Sequence, residues 1–176
     1  MSLPIPAGTY GIDPMHSQLG FAVTHLGISI IRGTFDSFSG SLTVGADLTD
    51  SAVTIDAQMA SVNSGNSMRD NHIHGAEFFD VVAHPEMTFR STGISGSGPD
   101  YQMTGDLTIK GVTQPVVLDT TYNGTSVFPM DQSTHFGFSG KCTISRSAFG
   151  VSYGVPMVSD DVKLSLDVQF IKPADA

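Results

Sequence analysis

The sequence has no tryptophan, a single cysteine, few cations and no long apolar run. Each shortage narrows what the protein can be. One cysteine, Cys142, has no partner for an internal disulfide, so the fold is held by packing. Lysine and arginine number 8 against 17 aspartates and glutamates, giving a net charge of −9 with no basic cluster anywhere. Such a chain is a poor ligand for a nucleic-acid phosphate backbone or an anionic membrane surface. No stretch approaches the ~18 consecutive apolar residues of a membrane span. The opening MSLPIPAGTYGID lacks the basic and apolar regions of an export signal. The expectation is a cytoplasmic protein, with a signal already removed as the alternative. Charged residues make up 14% of the chain, against the usual ~25%, and 40% of it is hydrophobic. That combination excludes a disordered polyelectrolyte.

At 176 residues the chain has room for one domain with a full core. We take residues 1–176 as a single domain, ordered over about 8–172, with a frayed tail from Pro173. Its dominant signal is period-two alternation. Leu19, Phe21, Val23 and His25 share one face, and so do Tyr101, Met103, Leu107 and Ile109. Val162, Leu164, Leu166, Val168 and Phe170 alternate with Asp161, Lys163, Ser165, Asp167 and Gln169. These are strands with one dry and one wet face. Further strands are expected at 9–13, 29–44, 52–59, 86–95, 112–122, 134–145 and 150–153. Short strands punctuated by turn residues, with no sustained helical period, predict an all-β protein. The long runs 29–44 and 112–122 favour a barrel over a flat sandwich, with bends or bulges at glycines such as Gly33 and Gly40.

Residues 60–86 do not alternate. A connection of that length is usually functional or carries short helices. Asn66 or Ser67 suits the cap of a short helix through Met68, Arg69 and His72, and Glu77–Val82 suits a second helical turn before Pro85. Ile73, Phe78, Phe79, Val81 and Val82 would cover something apolar, which makes the segment a flap over one barrel end. Arg69 and Asp70 read as an ion-pair clamp on that flap. Arg146 reads as a cation fixed by a carboxylate or by carbonyls.

Catalytic signals are sparse. His72 and His74 are two apart, without zinc-type spacing or a CxxC. His25 reads as a wall histidine hydrogen-bonded to backbone, and Cys142 as a small buried hydrophobe. No nucleophile elbow, P-loop or GxGxxG is present.

Taken together, YGIDPMHSQLGFAVTHLGISIIRGTF, MRDNHIHGAEFFDVVAHPEMTF, GDLTIKGVTQPV, SRSAFGV and VSDDVKLSLDVQF resemble successive blocks of the YceI-like family. The resemblance covers nearly the whole chain. It implies an eight-stranded antiparallel, lipocalin-like barrel with a short helical flap in residues 60–86. It also implies an apolar interior that binds a polyisoprenoid, an isoprenoid quinone or a fatty amide, and in some members a homodimer. It implies no catalytic residue, metal or cofactor.

The expected function is therefore to carry or sequester a long-chain apolar ligand. The alternatives are a structural or stress-related module with a filled barrel, and a histidine-based metal enzyme. The candidate tunnel lining is Leu19, Phe21, Val23, His25, Phe35, Ile55, Phe79, Met87, Phe89, Met103, Leu107, Leu118, Phe138, Ile144, Leu164 and Leu166. The candidate polar residues of the flap are Arg69, Asp70, His72 and Arg146. Leu19, Phe21, Val23, Leu164 and Leu166 are expected to line one common cavity.

Overall fold

The computed structural model of the protein describes residues 1–174. The fraying expected of the last residues, for 175 and 176, lies outside the described residues. The strands are β1 (Gly8–Ile12), β2 (Gln18–His25), β3 (Ser29–Phe35), β4 (Phe38–Val44), β5 (Ala52–Gln58), β6 (Val62–Asn63), β7 (Glu86–Ser97), β8 (Asp100–Ile109), β9 (Val112–Val127), β10 (Thr134–Ser145) and β11 (Asp161–Lys172). Among the described residues one α-helix, α1 (Ser67–His74), stands between them.

Alternation fixes which face of each strand turns inward. Along β11, Val162, Leu164, Leu166, Val168 and Phe170 are buried, while Lys163, Ser165 and Asp167 are exposed. A one-residue slip would invert the whole set, so register and core specify one another. Strands β1, β4, β5, β7, β8, β9, β10 and β11 pair antiparallel in that order, and β1 returns to β11, closing an eight-stranded barrel. The alternation predicted an all-β protein, and the eight-stranded closure is the one the family resemblance implied.

The closure is forked. The last turn of β11 pairs with β1, at Ile12↔Phe170 and Gly11↔Ile171. Nearer its start, β11 pairs with β2 instead, from Lys163↔Ala22 to Asp167↔Gln18. Strand β2 continues into β3, and β3 meets β6 only at Thr34 and Phe35. The β2–β3 hairpin thus branches off the ring and widens the wall at one end. An eight-stranded ring is just wide enough to be filled by its own side chains, so the added hairpin is what makes room. The opposite end is plugged by the N-terminal segment, where Leu3 and Ile5 are buried and Tyr10 donates its hydroxyl to the Pro6 carbonyl at 2.8 Å.

Several sequence expectations are corrected here. Residues 29–44 form two strands, because Asp36 accepts bonds from Thr34 Oγ1 (2.7 Å) and Asn63 Nδ2 (3.0 Å), and the Ser37 amide turns to Ser61 Oγ. The register breaks lie at Ser91/Gly93 and Gly137/Phe138, away from Gly33 and Gly40. Gly33 is instead a close-approach site. A Cβ there would stand 2.3 Å from Cζ of Phe21, whose ring lies across it. Residues 150–153 are not a strand, because Arg146 holds their carbonyls in a loop. Residues 77–82 form turns without a helix, and Val82 is exposed. Helix α1 forms where expected, with Asn66 Oδ1 accepting from the Arg69 amide.

Candidate functional site

The widened end encloses a cavity of about 490 Å³, within the size range of small-molecule sites. Its walls come from four sources. Phe21, Val23 and His25 of β2 face Ile31 and Phe35 of β3. Met87, Ile144, Val162 and Leu164 come from the ring. The flap supplies Arg69, His72, Ile73, Phe78 and Phe79, and the loop after β10 supplies Phe149, Val151, Tyr153, Met157 and Val158. The lining is overwhelmingly apolar. Phe35 links the wall to the lid, its ring centroid 5.5 Å from that of Phe21 and 6.3 Å from that of Phe79.

Most of the polar groups at the cavity are tethered. Arg69 donates from Nε to Ser64 Oγ and from Nη2 to the Ser64 carbonyl, both at 2.7 Å. Asp70 Oδ1 accepts from the Ser64 amide at 2.9 Å and from the Ser64 hydroxyl at 2.5 Å. The expected Arg69–Asp70 pair is therefore corrected. Both side chains grip Ser64 from consecutive positions on the helix, and Asp70 does not line the cavity. His72 Nε2 lies 2.6 Å from Glu77 Oε2, and its ring meets Phe78 and Tyr153 edge-on at 5.0 Å each. His25 is among the residues that line the cavity, and its backbone bridges to Val158.

Arg146 is buried, and carbonyls alone bind it. Its guanidinium donates to Val151, Tyr153, Val158 and Ser159 at 2.8–2.9 Å. Burial lowers its pKa from the ordinary arginine value, opposed by the charge of Asp160. Four carbonyls converging on one cation fix the whole loop that walls the cavity.

The remaining tunnel candidates do not reach this cavity. Leu19 and Leu107 line a void of about 40 Å³ deeper in the barrel. Met103 and Phe138 line another of about 50 Å³ toward the plugged end. Ile55, Phe89, Leu118 and Leu166 line both of these voids. The expectation of one common cavity is thus corrected. Phe21, Val23 and Leu164 reach the large chamber, and Leu19 and Leu166 do not. The reason is ring width: where eight strands close, aromatic and aliphatic side chains fill the bore. Met87 and Leu164 form the partition, since they line both the large chamber and the first small void.

Alternation carried a signal for some of the lining that sequence reasoning left out. Ile31 is in phase with Phe35, Ile109 with Leu107, and Val162 with Leu164. The loop 149–158 carried none.

Cys142 is half-buried against the middle void, and burial, with the charge of Asp119, pushes its thiol up to about 11. A second polar cluster lies near the plugged end. Asp13 Oδ2 is 2.5 Å from His16 Nδ1, and His135 bridges Ser133 Oγ (2.9 Å) and Gln169 Oε1 (2.7 Å). Among the described residues no group of three or more His, Cys, Asp or Glu converges as metal ligands, and no helix is long and apolar enough to cross a membrane.

Comparison with known proteins agrees with this geometry. Residues 10–170 match the family described as YceI-like domain. A UPF0312 protein of Azotobacter vinelandii is 35% identical over 170 residues, covering 94% of this chain and 88% of the relative. One from Staphylococcus aureus is 33% identical, covering 94% and 95%. Among solved structures, BcnA of Burkholderia cenocepacia superposes with a TM-score of 0.79 at 26% identity, over 90% of this chain and 98% of its own. The YceI protein of Campylobacter jejuni gives 0.76 at 31%, over 86% and 90%. A polyisoprenoid binding domain from Saccharophagus degradans shares the fold, with a TM-score of 0.66 at 15% identity, over 94% and 98%.

Proposed function

The chain belongs to the YceI-like family, and from that premise we propose that it binds one long-chain apolar molecule, an isoprenoid or fatty tail, in the flap-end chamber and carries or sequesters it without chemical change. The observation that supports this reading is the chamber itself: about 490 Å³ walled by Phe, Ile, Val, Leu and Met. A chain entering it gains ~0.8 kcal/mol per buried CH₂, so affinity needs no polar anchor. Arg69 and His72 stand at the lid, where Arg69 commits Nε and Nη2 to Ser64 and His72 pairs with Glu77. The tail therefore lies inward against Met87 and Leu164, and the head group sits under α1. The fold shared with a domain described as polyisoprenoid binding fits this reading.

Protein purified from its own host, extracted with organic solvent and analysed by mass spectrometry, is expected to yield one class of long-chain lipid at near-stoichiometric amounts. Extracts that are empty in repeated preparations would overturn the proposal in favour of a filled structural barrel.

A further inference from the structure

The rim of the chamber is continuous with an exposed, uncharged, apolar lobe. Two stretches build it: the tip of the β2–β3 hairpin and the loop between β10 and β11. Leu26, Ile28, Ile30, Tyr153, Val155 and Met157 are between 42% and 85% exposed. Residues 14–31 and 147–159 contain no Asp, Glu, Lys or Arg, in a chain of net charge −9. The two stretches are tied into one body. The Leu26 amide donates to the Met157 carbonyl at 2.7 Å, the Ser159 amide to the Thr24 carbonyl at 2.9 Å, and Arg146 pins the loop from beneath. Leu26 itself is held at φ 52°, a left-handed conformation that leucine rarely adopts. Tyr153 and Met157 are at once exposed on the lobe and part of the chamber lining.

Contiguous exposed apolar side chains mark a docking surface. Here the charge pattern selects the partner. A charge-free lobe on a strongly acidic body suits a neutral, zwitterionic surface and is repelled from an anionic one. Its position at the chamber rim suits a surface that holds the chamber's ligand. We propose that this lobe inserts into the interface of a zwitterionic lipid bilayer, so that the ligand passes between membrane and chamber without crossing water. The proposal rests on the carrier reading above and adds the donor and acceptor of its cargo.

The test uses the intact chain and two separate readouts. The first is flotation with empty phosphatidylcholine vesicles, which needs no cargo. Wild type is expected to float, the double variant Ile28→Glu, Val155→Glu, on the lobe but outside the chamber lining, to lose at least about tenfold in partition, and Val117→Glu, an exposed site on the barrel wall, to match wild type. Vesicles with added phosphatidylglycerol are expected to bind less. The second readout is transfer of geranylgeraniol from loaded to empty phosphatidylcholine vesicles. Its rate is expected to rise with vesicle concentration for wild type and to fall about tenfold in the double variant. Equal flotation of wild type and double variant overturns the docking proposal, whatever the cargo result. So does a dimer in sedimentation that the double variant abolishes, since the lobe would then be covered by a second copy. Flotation without any geranylgeraniol uptake leaves docking standing and overturns the cargo reading.

Discussion

If the chamber holds a tail as proposed, Met87 is expected to set where that tail ends. It is buried and shared between the chamber of about 490 Å³ and the void of about 40 Å³ below it. Met87→Ala removes three heavy atoms from that partition and joins the two spaces. In the empty protein the cost is that of a buried methionine truncation, ~2–5 kcal/mol. In the loaded protein a longer tail can fill the new space. Three methylenes in place of the lost atoms recover about 2.4 kcal/mol at ~0.8 kcal/mol each. The variant should therefore be markedly less stable than wild type when delipidated and much closer to it when loaded. The chain-length distribution of extracted lipid should shift upward. Urea unfolding of both forms, with mass spectrometry of the extracts, reads these quantities. Ile94→Ala is the control: Ile94 touches the 50 Å³ void at the plugged end and not the chamber, so it should cost stability equally in both forms and leave chain length unchanged. If Met87→Ala leaves chain length unchanged and destabilises loaded and empty protein alike, the tail does not end at this partition.

Phe21→Asp places an unpaired carboxylate in the chamber wall, which costs several kcal/mol. It should abolish lipid retention or folding, while Ser165→Asp, on the exposed face of the neighbouring strand, keeps both, as read by circular dichroism and lipid extraction. Arg146→Met strands four carbonyls. At ~1–3 kcal/mol per unsatisfied buried group, a loss above about 3 kcal/mol in urea unfolding is expected; a loss below 1 kcal/mol would show that water replaces the guanidinium. Burial raises the Asp13 pKa, but its bonds with His16 and the Met15 amide outweigh that and hold it below the ordinary 3.8. A depressed carboxylate contributes stability above its unfolded value and loses it as pH falls through the folded one. Melting temperature should therefore hold from pH 7 down to about the ordinary carboxylate range and drop below it, and Asp13→Asn should start lower at neutral pH with a flatter acid limb. With its thiol pushed up to about 11, Cys142 should alkylate at pH 8 roughly a hundredfold more slowly than a free thiol, and Cys142→Ala should cost about 1 kcal/mol or less.

The strands of the barrel were legible because alternation is a one-dimensional signal of a two-faced wall. β11 shows it in nearly unbroken form, and β2 and β8 show it well enough to place Phe21, Val23 and Leu107 inward. Alternation says which side of the wall a residue takes and nothing about its height along the bore. Leu19 and Phe21 share a face and still belong to different spaces, because only Phe21 lies where the hairpin widens the ring. The cap of α1 was readable from Asn66 because capping is local chemistry. The split at Asp36 and Ser37 was not, since it depends on Asn63 and Ser61, more than twenty residues away. The loop 149–158 was opaque for the same reason: one arginine shapes it, through carbonyls that every residue possesses.

The fork in β11 has a mechanical consequence. A closed ring has every edge paired, but a hairpin grafted onto one of its strands keeps an outer edge. That edge is β3, whose pairing to β6 stops at Thr34 and Phe35, so that among the described residues 29–33 have strand partners on the β2 side alone. Opening such an edge takes far less than unzipping the ring, and its amides should be the first strand amides to exchange with deuterium. The part of the wall that lines the chamber is thus the part expected to yield most easily. If the chamber holds a long chain as proposed, that chain is expected to enter beside β3, with all eight ring strands still paired.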